Sequence, residues 1–250
     1  MMLGGLILLG GFAVIATPAM GQLWLPIQMP GQPGRETAAP QPLARSPERS
    51  VIRREKSGTA FFVDDLGHML TARHAAEDCA QVVVAKEGRA FRAQIVALSP
   101  RFDLALIKLP KTLGLAAVFP RGVTATVNDM MFAAAYDTLP SMIGRGGMLA
   151  NATVASSQGG SEAGYLAIDS NVSFGASGAP VLDSRGLVQG VISRRTAANR
   201  VLAVGAAETK AFLAGNGIRF AEDDRPQIAG GGARANRASS ISARVTCLQN

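Results

Sequence analysis

The segment most directly suited to chemistry is a serine between glycines, Ser177 in Gly175-Ala176-Ser177-Gly178-Ala179-Pro180. Glycine allows a tight backbone path that exposes a hydroxyl and turns successive N–H groups towards one point. A nucleophilic serine needs this arrangement, because N–H donors must hold the negative charge that forms after attack. A glycine-rich turn without chemistry has a similar composition, so this segment alone leaves both interpretations open.

A nucleophilic serine also needs a base, and the chain has only two histidines, His68 and His74. The sequence predicts strands over 59–63 and 68–71, then a short helical turn that begins at Arg73. His68 lies at the entry of the second strand, where we expect a solvated side chain. His74 follows the end of that strand, a common place for a catalytic side chain on a rigid scaffold. His74 is therefore the candidate base.

Asp103 is the candidate partner of that histidine. An imidazole that acts as a base needs a carboxylate on its other nitrogen, which fixes the tautomer and stabilises the imidazolium. Asp103 opens the alternating segment Asp103-Leu104-Ala105-Leu106-Ile107-Lys108. An aspartate that merely shapes a turn is the alternative interpretation.

These segments resemble the trypsin-like serine peptidases, and most closely their bacterial HtrA-type branch, over about residues 55–215. Two further segments carry the resemblance, Gly58-Thr59-Ala60-Phe61-Phe62-Val63 and Leu70-Thr71-Ala72-Arg73-His74. The resemblance implies that His74 is the general base, Asp103 its orienting carboxylate and Ser177 the nucleophile. It also implies that the N–H groups of Gly175 and Ser177 form the oxyanion hole.

The resemblance also points to a substrate pocket, which we predict to involve Asn171, Ser193 and Arg195. Asn171 lies six residues before the serine, where the family places a pocket side chain, and Ser193 falls where the family has a serine beside the aspartate. The uncharged Asn171 argues against a requirement for Lys or Arg in the substrate. We expect Arg194 or Arg195 to lean into the pocket and either narrow it or favour an acidic residue.

Three residues depart from the family pattern. Arg73 precedes the histidine where a small residue is usual, and Ala179 replaces a common glycine. Ala176 stands where animal trypsins have an aspartate that binds the freed N-terminus on activation. Since that ion pair is unavailable here, the loop around Ser177 must be ordered in another way.

The elements that must position these residues are many short strands separated by Gly and Asp turns, which is typical of an all-β fold. We predict two six-stranded antiparallel barrels, at about 51–115 and 116–215, within a peptidase domain over 51–220. A short C-terminal helix is expected at 206–214. His74 and Asp103 then come from the first barrel and Ser177 from the second, so the site lies between them.

The two ends of the chain have distinct compositions. Residues 1–21 contain no charged side chain and end in small residues, which predicts a signal peptide; an uncleaved membrane anchor is the alternative. Residues 22–50 are rich in Pro, Gln and Gly and are expected to be an extended linker. Residues 221–250 contain few large apolar residues and are expected to be a disordered basic tail. We expect no appended peptide-binding PDZ domain.

The two cysteines, Cys79 and Cys247, could form one disulfide in an oxidising compartment, and two free thiols are the alternative. No group of His, Cys and carboxylates has metal-ligand spacing, so we predict neither a metal nor another cofactor.

The net charge of +7 is spread along the chain and few aromatic residues accompany it, which argues against nucleic-acid binding. The basic residues of the linker could contact anionic cell-envelope polymers. The sequence does not indicate an oligomeric state.

Together these features predict a secreted or periplasmic serine endopeptidase that acts on polypeptides through a Ser-His-Asp triad and an acyl-enzyme. One alternative is a catalytically impaired protein on the same scaffold, in which Arg73 or Ala179 has spoiled the geometry and the groove only binds extended peptides. A second alternative is an esterase with the same triad.

Overall fold

The computed structural model describes residues 54–122, 125–145, 151–155, 163–228 and 233–249. The predicted signal peptide (1–21) and linker (22–50) lie outside the described residues. Within the described ranges, no helix is both long and apolar enough to span a membrane.

The first sheet closes into a barrel of six antiparallel strands. In their order around the barrel, these are β1 (Glu55–Phe62), β14 (Ser242–Leu248), β3 (Gln81–Lys86), β4 (Arg89–Leu98), β5 (Ala105–Lys108) and β2 (His68–Thr71). Buried and half-buried residues alternate along β3, as expected for a strand that turns one face to the barrel interior.

The second sheet also has six antiparallel strands, and it is nearly closed. Its order is β10 (Pro180–Leu182), β11 (Val188–Ala197), β12 (Arg200–Gly205), β9 (Tyr165–Ser170), β8 (Ala152–Val154) and β7 (Met130–Met131). Reciprocal backbone hydrogen bonds of 2.8 Å between Phe132 and Leu182 link its two end strands. The predicted all-β fold of two six-stranded antiparallel barrels is therefore confirmed.

The remaining regular elements are few. A parallel pair joins β6 (Val118–Phe119) to β13 (Ala221–Glu222). The helices are α1 (Leu139–Gly144), α2 (Ala206–Gly215) and α3 (Arg234–Ile241), with 3₁₀ turns at Arg73–Ala75 and Tyr136–Thr138. The helix α2 corresponds to the short helix predicted at 206–214.

Three apolar clusters fill the barrels and the space between them. Successive side chains of a strand point to opposite faces, so β1 can serve two clusters at once. Ala60 and Phe62 lie inside the first barrel. Phe61 lies in the layer between the barrels, where it joins Phe132 and Val191 of the second. The strand β1 is thus part of the seam from which the site is built.

The structure corrects the expectation that residues 221–250 form a disordered tail. The strand β14 lies between β1 and β3, pairing with seven residues of β1 and five of β3. Its inward side chains, Ala243, Val245 and Cys247, are small, and its stability comes from backbone pairing on both sides. The predicted span of the first barrel, 51–115, therefore lacks one of its six strands. Because this strand contains few large apolar residues, its composition does not indicate a buried strand.

The same strand carries a covalent link. Cys247 is joined to Cys79 by a disulfide, with a Cα–Cα distance of 5.3 Å and a sequence separation of 168. Cys79 lies just after the 3₁₀ turn at Arg73–Ala75, so the bond ties β14 to the segment that carries His74.

We predict that replacing both Cys79 and Cys247 by Ala lowers the free energy of unfolding by about 2–5 kcal/mol, because the cross-link restricts a long span of the unfolded chain. Denaturant unfolding of the oxidised wild type and the double variant measures this difference. Wild type treated with a reductant is the matched control, and its denaturant midpoint should equal that of the double variant. Identical midpoints for the oxidised wild type and the double variant would contradict the prediction.

Candidate active site

The structure brings the three predicted triad residues together. His74 lies in the 3₁₀ turn after β2, Asp103 lies just before β5, and Ser177 lies in the loop before β10. The His74 Nδ1 atom is 2.8 Å from Asp103 Oδ2, and His74 Nε2 is 3.0 Å from Ser177 Oγ. The His74 backbone N–H also donates to Asp103 Oδ1 at 3.0 Å, so both carboxylate oxygens hold the same residue.

Asp103 is held in its ionised form by its donors. Burial opposes ionisation, but the His74 ring, the Ser193 hydroxyl and the His74 N–H donate hydrogen bonds that lower its pKa. Ser193 Oγ donates to Asp103 Oδ2 at 2.7 Å. An ionised carboxylate has no proton to give, so His74 Nδ1 must be the donor in their contact. The other ring nitrogen of the neutral imidazole then presents its lone pair to Ser177 Oγ.

The pKa of His74 is raised by its hydrogen bond to Asp103. Burial works in the opposite direction, the charges of Asp103 and Glu77 raise the pKa further, and that of Lys56 lowers it. The imidazolium is therefore more stable here than that of an isolated histidine.

The loop around Ser177 has the backbone geometry that its glycines predict. Ala176 N–H donates to Ser173 O at 3.3 Å and Gly175 has φ +84°, which together describe a type II turn. Gly178 has φ +83°, and a Cβ there would lie only 2.2 Å from Thr59 O, so only glycine fits. Within the described residues, the N–H groups of Gly175 and Ser177 donate to no protein acceptor.

Thr59 is a residue of this site that sequence reasoning missed. It is fully buried in β1, and its hydroxyl donates to Gly175 O at 2.8 Å. Its N–H donates to Ser177 O at 2.8 Å. The only signal in the sequence is a hydroxyl at the start of the apolar run that predicts the strand over 59–63.

Of the three predicted pocket residues, Asn171 and Arg195 contact each other, and Ser193 contacts Asp103. Arg195 donates to the side chain of Asn171 at 3.4 Å and to the carbonyl of Val172, so it bridges to the segment that leads to Ser177. Ser193 instead turns its side chain to Asp103. Arg194 lies over the ring of Tyr165, 5.5 Å from its centroid. Of the two arginines, Arg195 is the one that contacts the predicted pocket.

Two of the departures from the family pattern are accommodated without disturbing the triad. The Arg73 side chain donates to Glu77 Oε2 at 2.8 Å and to Ser99 O at 3.0 Å. Ala179 is fully buried and is not among the residues with positive φ, so its methyl group causes no backbone strain.

The second histidine belongs to another part of the barrel. His68 Nδ1 contacts Asp64 Oδ2 at 2.5 Å in the turn between β1 and β2. Among the described residues, no group of three or more His, Cys, Asp and Glu side chains could hold a metal ion.

Comparisons with known proteins identify the family and the fold of the chain. Residues 58–191, just over half of the chain, match the model of the trypsin-like peptidase domain. An uncharacterised protein of Sinorhizobium fredii, y4bJ, is 29% identical over 236 residues, which are 89% of this chain and 36% of that protein. A probable periplasmic serine endoprotease DegP-like of Brucella suis is 28% identical over 155 residues, which are 59% of this chain and 29% of that protein.

A crystal structure of the serine endoprotease from Yersinia pestis shares the fold, with a TM-score of 0.55 and 21% identity. The match covers 67% of this chain and 60% of the Yersinia chain. The chain belongs to the trypsin-like peptidase family. It spans about a third of the length of the two curated relatives.

We predict that the pKa of His74 lies above its ordinary value of 6.5 and falls when Asp103 is replaced by Asn, because the main cause of the increase is then removed and burial remains. NMR titration of the imidazole in Ser177→Ala protein, which cannot digest itself if Ser177 is the nucleophile, measures the change. A His68→Gln variant assigns the two histidine signals. An unchanged His74 pKa in Asp103→Asn would show that the carboxylate does not control this ring.

Proposed function

We propose that this protein is a serine endopeptidase in which Ser177 attacks the peptide bond, His74 is the general base and Asp103 orients it. The observation that carries the proposal is the continuous chain from Asp103 Oδ2 to His74 Nδ1 at 2.8 Å and from His74 Nε2 to Ser177 Oγ at 3.0 Å. These contacts lie within hydrogen-bonding reach for proton transfer from the hydroxyl to the ring.

The reaction follows from this arrangement. His74 takes the Ser177 proton as the oxygen attacks the carbonyl carbon, and the N–H groups of Gly175 and Ser177 hold the resulting oxyanion. His74 then gives the proton to the leaving amine, which departs and leaves an acyl-enzyme. His74 next takes a proton from water as the water oxygen attacks the acyl carbon, and it returns this proton to Ser177 Oγ as the C–O bond breaks and the acid product leaves.

An open strand edge supports an extended polypeptide as the substrate. The strand β11 runs from Val188 to Ala197, but its pairing with β10 ends at Val191. The Gly178 N–H and Ala179 O groups engage Ile192 just beyond that point. Among the strands of the described residues, none pairs with this edge of β11 beyond Val191, so a peptide can add to it as a further strand beside Ser177.

We propose that the protein acts in the periplasm or outside the cell. The uncharged, apolar residues 1–21 are suited to an export signal. The Cys79–Cys247 disulfide suits an oxidising compartment. The name of the Brucella relative likewise describes a periplasmic protein.

The alternative of a peptide-binding protein without catalysis is weakened by the two accommodated departures. It supposed that Arg73 or Ala179 distorts the site. The Arg73 side chain is occupied by Glu77 and Ser99, and Ala179 is unstrained.

We predict that wild-type protein reacts with a fluorophosphonate at Ser177 and cleaves an unfolded protein substrate. Ser177→Ala should lose the labelling and lower turnover by about 10⁶-fold, because the attacking oxygen is gone. Mass spectrometry of the labelled peptide and a fluorogenic casein assay measure the two effects. Ser173→Ala, in an exposed position of the same loop, is the matched control and should label normally. Equal turnover by wild type and Ser177→Ala would refute the proposal, and cleavage of esters but no peptides would favour the esterase.

We also predict that cleavage after Lys or Arg is at least about tenfold slower than after small or acidic residues, because Arg195 brings a positive charge to the pocket and like charges repel. Profiling with a peptide library measures this preference. Arg195→Ala should reduce the discrimination, and Arg194→Ala, on the same strand but over Tyr165, should keep it. Preferred cleavage after Lys or Arg by the wild type would contradict this role of Arg195.

A further inference from the structure

Thr59 connects the first barrel to the loop of the second barrel that carries Ser177. We propose that Thr59 is a positioning residue for the oxyanion hole: its hydroxyl and N–H hold the carbonyls of Gly175 and Ser177, and so orient the N–H groups of this loop. The inference rests on the proposed peptidase function.

The polar atoms of Thr59 are fully engaged although its side chain is buried. Its Oγ1 donates to Gly175 O at 2.8 Å and accepts from the Tyr136 N–H at 2.9 Å. An amide N–H can only donate and a carbonyl can only accept, so the hydroxyl proton must point to Gly175. The Thr59 carbonyl accepts from Thr71 Oγ1 at 2.8 Å, which holds the backbone at the same point.

The held carbonyls belong to two peptide units of the serine loop. One unit joins Gly175 to Ala176, whose N–H donates to Ser173 O. The other joins Ser177 to Gly178, whose N–H donates to Ile192 O at 2.7 Å. The Ser177 N–H lies in the peptide unit between these two, and the Gly175 N–H lies in the unit just before them. Holding both units therefore restricts the direction of both proposed oxyanion donors.

Glycine makes this restraint necessary. Gly175 and Gly178 have φ angles of +84° and +83°, and a glycine backbone can leave such a conformation at little steric cost. Ala176, which lies between the two glycines and next to Ser177, is buried among apolar groups of the second barrel. Its side chain has no charge, so no ion pair can hold the loop at this residue. The contacts of Thr59 hold the loop from outside and add to its own hydrogen bond between the Ala176 N–H and Ser173 O.

The two bonds of Thr59 to the loop can be separated by mutation. Thr59→Val keeps the N–H that binds Ser177 O and removes the hydroxyl that binds Gly175 O. The contacts among Asp103, His74 and Ser177 do not involve that hydroxyl. The variant should therefore impair stabilisation of the oxyanion and spare the base and the substrate groove.

We expect Thr59→Val to lower kcat by about 10²-fold, the effect of losing one oxyanion donor, while KM changes less than about threefold. The rate of fluorophosphonate labelling should fall with kcat, and the pH at which activity appears should stay where it is in the wild type. Thr59→Ser keeps the hydroxyl and should restore most of the activity. Steady-state kinetics over a range of pH measures all of these quantities.

The matched control is Thr209→Val, which removes another buried hydroxyl that donates to a carbonyl, Gly205 O at 2.8 Å, in α2. It should leave kcat unchanged. A wild-type kcat in Thr59→Val, or an equal loss in Thr59→Val and Thr209→Val, would overturn the inference. If circular dichroism shows that Thr59→Val does not fold, Thr59→Ala makes the same test without a second γ-methyl group beside the Tyr136 N–H.

Failure of this inference differs from failure of the proposed function. If the wild type neither labels nor cleaves, the peptidase assignment is wrong. If the wild type labels at Ser177 and Thr59→Val labels equally fast, only the role of Thr59 is wrong.

Discussion

The arrangement of the active site depends on the burial of β1 on both faces. Phe62 of this strand lies inside the first barrel, and Phe61 lies between the barrels. A shift of one residue would exchange these faces and disrupt both apolar layers at once. Pairing with β14 on one side and β2 on the other fixes the register. The position of Thr59 against the serine loop follows from that register.

Hydrogen bonds cross the interface between the barrels in both directions, and they involve residues of the candidate site. Ser193 of the second barrel donates to Asp103 of the first, which lowers the pKa of that carboxyl. Thr59 of the first barrel donates to Gly175 and Ser177 of the second. Neither barrel alone holds a complete set of these partners. The candidate site is therefore complete only when the two barrels are docked.

The residues of the candidate triad could be selected from the sequence because each lies in a short segment with a local signal: a glycine-flanked serine, a histidine after a strand and an aspartate before one. The strand β14 could not be predicted, because its stability comes from pairing with β1 and β3, which lie far away in sequence, and not from its own composition. The role of Thr59 could not be predicted for a similar reason, because the carbonyls to which it donates belong to the second barrel and lie far away in sequence. The direction of Arg195 likewise depends on the neighbouring segment at Asn171.

The topology also orders the steps by which the site can form. The first barrel, which carries His74 and Asp103, has β14 between β1 and β3, so it cannot close before residues 242–248 are available. Pairings this distant in sequence carry a loop-closure cost, and folds dominated by them fold more slowly than folds with local contacts. The Cys79–Cys247 bond joins the same two distant parts of the chain and so restricts the separation of β14 from the barrel. The strand β14 pairs with β1, which carries Thr59, and is bonded through Cys247 to the segment that follows His74. The last strand of the chain therefore contacts both elements that place the proposed base and the proposed oxyanion donors.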